Sequence, residues 1–175
     1  MQKLEIVKAD LDNSEHSKAI LNITNAYARD PMGLDRPLSE EVQSKLIDEL
    51  KKFPCSLHFI AFFDDEPAGV ANCVVSFSTF YAAKVINIHD LAVNPSYRSK
   101  GIGEALLGAV EKEAIAQNCC KVTLEVREDN RARKLYERSG FSYGEPRMFF
   151  MENRSKSKFP GTKLRFSKLT KLYES

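Results

Sequence analysis

The sequence lacks long apolar runs and has no cysteine framework. No stretch approaches ~18 consecutive apolar residues, the length of a membrane-spanning helix, and residues 1–5 lack the apolar core of a secretory signal peptide. The four cysteines, Cys55, Cys73, Cys119 and Cys120, match neither zinc-site spacing nor a disulfide pattern. We therefore expect a cytoplasmic protein with reduced, partly buried thiols and no metal.

Two common nucleotide-binding loops are also absent. The only closely spaced glycine pair that follows a strand-like run is Gly101 and Gly103. A dinucleotide fingerprint needs a third glycine, and Leu106 stands in its place. A P-loop ends in Gly-Lys-Ser/Thr, but Glu104 follows Gly103. These departures exclude both loops.

The same stretch nevertheless has the form of an anion site. Residues 85–93 alternate and are rich in β-branched side chains, so they predict a strand. Residues 104–117 predict an amphipathic helix because apolar residues recur at helical spacing. Between them lies the glycine turn 98–103. A turn that opens a helix presents free N–H groups and the positive end of the helix dipole to an anion.

Composition indicates one ordinary globular domain over residues 1–175. The chain is 43% hydrophobic and 29% charged, which is typical of globular domains of this size. Charge is uneven: residues 1–66 carry eight Lys/Arg and thirteen Asp/Glu, whereas residues 67–175 carry eighteen and eleven. A basic half suits a phosphate-rich cofactor and an acidic half suits an amine, although two solvated faces would look the same.

Periodicity and breakers predict the order of elements. A strand at 3–9 precedes helices from Asn13 or Ser14 to Arg29 and from Glu40 to Lys51, capped by Ser39. Strands follow at 56–63, 68–80 and 85–93, then the helix 104–117, a strand at 119–126 and a short helix through Arg138 that ends at Gly140. More strands are predicted within 141–151 and 154–171. The order predicts an α/β fold with a mixed sheet, whose 85–93 and 119–126 strands are parallel.

Two motifs in this order resemble the GNAT superfamily of N-acetyltransferases. The first is Arg-x-x-Gly-x-Gly at 98–103, and the second is the run from Asn130 through Leu135-Tyr136 to Gly140-Phe141. The second departs in one respect, because a single residue separates Asn130 from Ala132 where the family has two. Either Asp129 or Asn130 therefore takes the position of the family's asparagine. The resemblance covers about a third of the chain.

The resemblance implies a mostly antiparallel central sheet, about four flanking helices and a parallel strand pair that splays near Leu91–Val93. It also implies acetyl-CoA as co-substrate, with the pyrophosphate held by the amides of the turn and the pantetheine arm beside the splayed strand. The residues it assigns to acetyl-CoA are Leu91, Ala92, Val93, Arg98, Ser99, Lys100, Gly101, Ile102, Gly103, Asn130 and Arg133.

The chemistry implied is direct acetyl transfer to an amine. Tyr136 holds the position of the general acid that faces the CoA sulfur. His89 and Asp90 are candidates for the base, acting directly or through water, and Glu125 is a weaker one. Because His89 and Asp90 are adjacent on a strand, they are expected to point to opposite faces. The N–H groups of Leu91 and Val93 would receive the negative charge of the thioester oxygen.

The acceptor is the least constrained part of the prediction. A small-molecule primary amine is expected, with a protein amine or a non-catalytic acyl-CoA-binding module as alternatives. The family's helix–loop–helix lines the acceptor cleft, which makes Met32, Asp35 and Arg36 candidate contacts. The basic tail 154–171 lacks a nucleic-acid-binding module and is not expected to bind nucleic acid. Phe149 and Phe150 would serve either a homodimer or the core.

Overall fold

The computed structural model describes residues 2–144, which form five strands and four α-helices in the predicted order, with a short 3₁₀ helix at Pro95–Tyr97. The strands lie side by side in one sheet, β1-β2-β3-β4-β5; only the last pair is parallel. This confirms the α/β fold with a mixed, mostly antiparallel sheet. The elements are β1 (Leu4–Lys8), α1 (Ser14–Ala28), α2 (Glu40–Lys52), β2 (Ser56–Phe63), β3 (Glu66–Ser78), β4 (Ala83–Val93), α3 (Ile102–Ala116), β5 (Lys121–Leu124) and α4 (Arg133–Arg138).

Some predictions extend beyond the described part of the chain. Residues 141–144 are in no strand, and the rest of the strands predicted after Gly140 lies outside the described residues, as do Phe149, Phe150 and the basic tail. The compact unit that holds all nine elements ends at Phe141, so a single domain over 1–175 stays a prediction. No helix within residues 2–144 is long and apolar enough to cross a membrane.

The predicted helix starts of α1 and α2 are confirmed by their caps. The Asn13 side chain accepts hydrogen bonds from the N–H groups of Glu15 and His16. Ser39 Oγ accepts one from Val42 N–H at 3.3 Å. Such caps satisfy donors that the first helical turn otherwise leaves unpaired.

Several boundaries differ from the predictions. Helix α3 begins at Ile102 rather than Glu104, since Gly101, with a φ of 77°, is the last residue of the turn with a positive φ and Gly103 is already helical. Strand β3 begins at Glu66 because the two preceding aspartates, with φ of 51° and 64°, make the turn by themselves. Strand β5 covers only Lys121–Leu124, because its partner β4 diverges from it after that point.

Each face of the sheet carries its own apolar cluster. On one face α3 contributes Leu106 and Val110, which are fully buried against Ile86 and its neighbours. On the other, α1 contributes Ile20 against Ile60. Full burial of each such side chain stabilises the fold by roughly 1.5–3 kcal/mol. The sheet between the helices is thereby fixed, and its free edges can position a site.

One histidine is buried under α1 and makes folding pH-dependent. His58 is 4% exposed, and burial lowers its pKa, although the Asn72 hydrogen bond and nearby Asp90 act in the opposite direction. The folded protein therefore keeps His58 neutral, while the unfolded chain takes up a proton once the pH falls below the ordinary histidine pKa of 6.5. Stability is then full above that pH and is lost as the pH falls toward the lowered folded-state value.

We expect the free energy of unfolding to drop by about 1 kcal/mol between about pH 7.5 and about pH 5.5, as measured by urea denaturation. His58→Gln keeps a hydrogen-bond donor for Asn72 but does not titrate, so its drop should be smaller. His16→Gln is the matched control, since that imidazole is only half-buried. An equal drop in the wild type and in His58→Gln would contradict the prediction.

Candidate active site

Strands β4 and β5 separate to form a fork. They pair from Val85↔Lys121 only as far as Ile88↔Leu124, whereas β4 stays paired with β3 through Val93. Residues 89–93 therefore have a free edge on the β5 side. Asn94 N–H donates to Ala68 O of β3 at 2.8 Å. Because amides alternate along a strand, the N–H groups of Leu91 and Val93 point the other way, into the fork.

A β-bulge lies at the base of the fork. Cys73 pairs with Ile88 and Asn72 with Asp90, so His89 has no partner on β3. Ile88 packs in the α3-side cluster, whereas Asp90 bonds Asn72 on the α1 side, although an unbroken strand would place residues two apart on one face. The expectation that His89 and Asp90 point to opposite faces rested on that unbroken alternation, which the bulge removes.

The fork opens into a cleft of about 700 Å³. Its walls come from the loop after α1, the second half of β4, the segment that follows β5, and α4. Predicted residues that line it are His89, Leu91, Ala92, Val93, Arg98, Gly103, Glu125, Asn130, Tyr136 and Met32. The fold thus brings together residues from both motifs.

Tyr136 is a half-buried wall of this cleft. Its ring stacks edge-on against Phe141, with centroids 6.1 Å apart. Burial, followed by the neighbouring Tyr27, raises the pKa of Tyr136 to about 12. The phenol is therefore protonated throughout the physiological range and can donate a proton or a hydrogen bond.

The three candidate bases occupy different environments. His89 is exposed and lines the cleft. Glu125 also lines it, and its carboxylate oxygens each accept from Asn87 Nδ2 at 3.2 Å. Asp90 is not among the lining residues and instead accepts from Asn72 Nδ2 at 3.2 Å.

Asp90 belongs to a polar chain beneath α1. Asn72 Nδ2 also donates to Thr24 Oγ1 at 3.1 Å, and Asn72 Oδ1 lies 3.0 Å from His58 Nδ1. A carboxylate only accepts, so the Asn72 nitrogen must face Asp90 and its oxygen must face His58. His58 is then protonated on Nδ1, which leaves its buried Nε2 without a hydrogen-bond partner among the described residues.

The turn 98–103 has the geometry of an anion cradle. The N–H groups of residues 100–104 make no hydrogen bond within the described part of the chain, and the first helical bond runs from Ala105 N to Gly101 O at 3.0 Å. No side chain caps the helix. Ser99 and Gly101 have φ of 64° and 77°. These unpaired donors and the dipole of α3 fit a pyrophosphate.

The second glycine of the turn connects the two motifs. A Cβ on Gly103 would lie 2.9 Å from Leu135 Cδ2 of α4, a distance that forces the leucine aside. The absence of a side chain on Gly103 thus lets α4 approach the first turn of α3.

Three residues assigned to acetyl-CoA direct their side chains elsewhere. Lys100 Nζ lies 4.4 Å from the centroid of the Phe63 ring, which is a cation–π contact. Ile102 is buried in the α3-side core, so only its backbone is available. Arg133 Nη1 donates to Glu128 O at 2.9 Å. Of the described residues that line the cleft, none is Lys100, Ile102 or Arg133.

Asp129 and Asn130 both line the cleft, but their side chains have different hydrogen-bond partners. The Asp129 carboxylate receives two hydrogen bonds from Arg127, at 3.0 and 2.7 Å. Asn130 Oδ1 accepts from Ala132 N at 2.8 Å and so orders the entry to α4. The amide nitrogen of Asn130 remains the donor available to a ligand, whereas Asp129 offers none.

Sequence reasoning missed several lining residues. Tyr27, Asp30 and Arg127 face the cleft, and burial together with the Asp90 carboxylate raises the pKa of Tyr27. Arg127 Nη1 also donates to Pro31 O at 3.3 Å. Asp30 and Pro31 had a signal only as the end of α1, because nothing local indicates which distant strand a helix-ending loop faces.

The chain is similar to known proteins in sequence and in fold. The sequence model of the acetyltransferase (GNAT) family matches residues 20–141. An integron cassette protein from V. cholerae is similar at 22% identity, with a TM-score of 0.73, over 87% of this chain and 93% of that one. A ribosomal-protein-alanine N-acetyltransferase from Brucella melitensis biovar Abortus is 16% identical, with a TM-score of 0.68, over 86% and 100%. An aminoglycoside acetyltransferase from an uncultured soil metagenomic sample is 18% identical, with a TM-score of 0.67, over 86% and 96%.

Proposed function

The chain belongs to the acetyltransferase (GNAT) family, and from that premise we propose that it transfers an acetyl group from acetyl-CoA directly to a primary amine of a small molecule. The observation that carries the proposal is the fork between β4 and β5, where unpaired amides and the phenol of Tyr136 face one cleft. Such a site needs no covalent enzyme intermediate, because both reactants can be held in line.

Binding of acetyl-CoA is divided between two parts of the cleft. The free amides of residues 100–104 and the Arg98 guanidinium would hold the pyrophosphate. The free edge of β4 and the Asn130 amide nitrogen would bond the pantetheine arm. Bound there, acetyl-CoA supplies an acetyl thioester as the group to be transferred.

Proton transfer is assigned to side chains around the fork. An alkylamine is mostly protonated at neutral pH and must lose a proton before it attacks. His89 takes that proton directly or through water, and Glu125 is the alternative base. Attack by the neutral amine would form the C–N bond of a tetrahedral intermediate, whose oxyanion the N–H groups of Leu91 and Val93 would stabilise. The C–S bond would then break as Tyr136 protonates the departing thiolate. The second proton lost by the nitrogen would return to the Tyr136 phenolate, while the first would pass from the base to water.

A small acceptor is favoured by the loop after α1. Two arginines reach this loop from other elements: Arg98 contacts Asp30, and Arg127 contacts the Pro31 carbonyl oxygen. The loop therefore lies across one side of the cleft, where an extended peptide would need an open groove. Cationic amines such as polyamines, amino acids and amino sugars also suit the Glu125 carboxylate, which lines the cleft and accepts from the neutral Asn87 side chain.

We also propose that the protein works in the cytoplasm, since the four cysteines are all unpaired.

We expect purified protein to release free CoA thiol from acetyl-CoA only when an amine is added. The measurement is a thiol-reagent assay over a panel of polyamines, amino acids, amino sugars and N-terminal peptides. Tyr136→Phe is the matched control, because it retains the ring and its packing. Stimulation by peptides alone would replace the small-molecule acceptor with a protein one. Tight CoA binding without release by any amine would indicate a non-catalytic acyl-CoA-binding module.

A further inference from the structure

One ion pair in the cleft joins the loop after α1 to the arginine of the anion-binding turn. Arg98 Nη2 donates to Asp30 Oδ2 at 2.8 Å. The two side chains are 38% and 22% exposed, so the pair is partly shielded from water. Both residues line the cleft. The Arg98 guanidinium, whose Nε also donates to Val93 O at 3.4 Å, is thus already paired with a carboxylate.

Asp30 is also held by its own loop. Met32 N–H donates to Asp30 Oδ1 at 2.9 Å, and Gly33 N–H donates to the Asp30 carbonyl oxygen at 2.7 Å. The Met32 N–H, followed by the Arg98 guanidinium, lowers the pKa of Asp30. The carboxylate is therefore ionised at neutral pH, and its own loop contributes one of its two hydrogen bonds.

Carboxylate and phosphate oxygens bind the same N–H groups of a guanidinium. We propose that Asp30 is an internal competitor of acetyl-CoA, whose carboxylate occupies the edge of Arg98 that the cofactor's pyrophosphate takes on binding. The inference rests on the proposed function, since it requires the turn 98–103 to bind pyrophosphate. Asp30 then weakens cofactor binding. Replacement of its carboxylate by a neutral group strengthens cofactor binding, because the Arg98 guanidinium is released.

The test is a double-mutant cycle with CoA as the probe, titrated calorimetrically into the full-length chain. Asp30→Asn should tighten CoA binding about two- to fivefold, as expected for release of a partly exposed ion pair. Arg98→Gln should weaken binding about tenfold. In the Arg98→Gln background, Asp30→Asn should give no further tightening, because no guanidinium remains to be released.

Two charge variants serve as controls. Glu104→Gln removes a carboxylate from the first turn of α3, beside the same turn but outside the ion pair, and reports the general field. Lys100→Gln removes a cation that lies over the Phe63 ring. It should lower the affinity for CoA less than Arg98→Gln does.

Two results would overturn the competition alone: equal tightening by Asp30→Asn in both backgrounds, or weaker CoA binding by Asp30→Asn. Wild-type protein that does not bind CoA would overturn the competition and the proposed function together.

Discussion

Replacement of Tyr136 by phenylalanine is expected to lower kcat by about 10²–10⁴-fold. The KM for acetyl-CoA should change by no more than about threefold, because in the proposed mechanism the lost hydroxyl acts on the departing sulfur and not on cofactor binding. The ring and its edge-on contact with Phe141 at 6.1 Å are retained. Steady-state rates of amine-dependent thiol release measure both quantities.

A second tyrosine of the cleft provides the control. Tyr27 also lines the cleft, and its hydroxyl is 3.4 Å from Met32 O. Tyr27→Phe removes the same atom from the same cavity, and we expect it to keep most of kcat. A Tyr136→Phe enzyme with wild-type turnover, or an equal loss in Tyr27→Phe, would remove Tyr136 from the acid role.

The raised pKa of Tyr136 gives this role a pH signature. An acid must be protonated to act. Burial, followed by the neighbouring Tyr27, raises the pKa of Tyr136 to about 12. The protonated form therefore dominates at every pH below that value. The rate should show no alkaline decline caused by Tyr136 up to about pH 10, near the ordinary tyrosine pKa. A fall around pH 8–9 that disappears in Tyr136→Phe would contradict the pKa assignment.

Local patterns were sufficient for most of the elements. Asn13 and Ser39 cap the helices for which they were chosen, because a cap involves only residues two or three positions away. The glycine turn could likewise be recognised from its own six residues. The role of Gly103 in the turn could be predicted, but its closeness to Leu135 could not, since the two residues lie some thirty positions apart in the sequence.

Features that depend on two distant segments could not be predicted. The bulge at His89 is a mismatch between β3 and β4, so it leaves no mark in the β4 sequence, which alternates normally on paper. The resemblance implied a splay of the parallel pair near Leu91–Val93, but the exact start of the fork after Ile88 depends on how long β5 follows β4. The contact between Asp30 and Arg98 joins a helix-ending loop to a turn that lies on another element. The resemblance could place Tyr136, but it could not supply these pairings.

The bulge bears directly on the choice of base. His89 is exposed at the base of the fork and lines the cleft, whereas Asp90 bonds Asn72 beneath α1. We therefore expect His89→Ala to lower kcat/KM for the amine by about 10²–10⁴-fold at neutral pH. Asp90→Asn should lose far less activity, because an asparagine oxygen can still accept from Asn72. Thiol release at limiting amine concentration measures the difference.

Chemical rescue separates proton transfer by His89 from a structural role. His89→Ala leaves space at an exposed position, so imidazole added to the assay can reach the amine and take its proton. We expect imidazole to restore activity in His89→Ala, at a rate that rises with imidazole concentration. It should not restore activity in Tyr136→Phe, whose missing group is the proposed acid on the sulfur side.

Glu125→Gln is the matched carboxylate variant, since the amide still accepts from Asn87 on the same side of the fork. A loss confined to Glu125→Gln would transfer the base role to that residue. An equal loss in Asp90→Asn, without imidazole rescue of His89→Ala, would transfer the base role to Asp90.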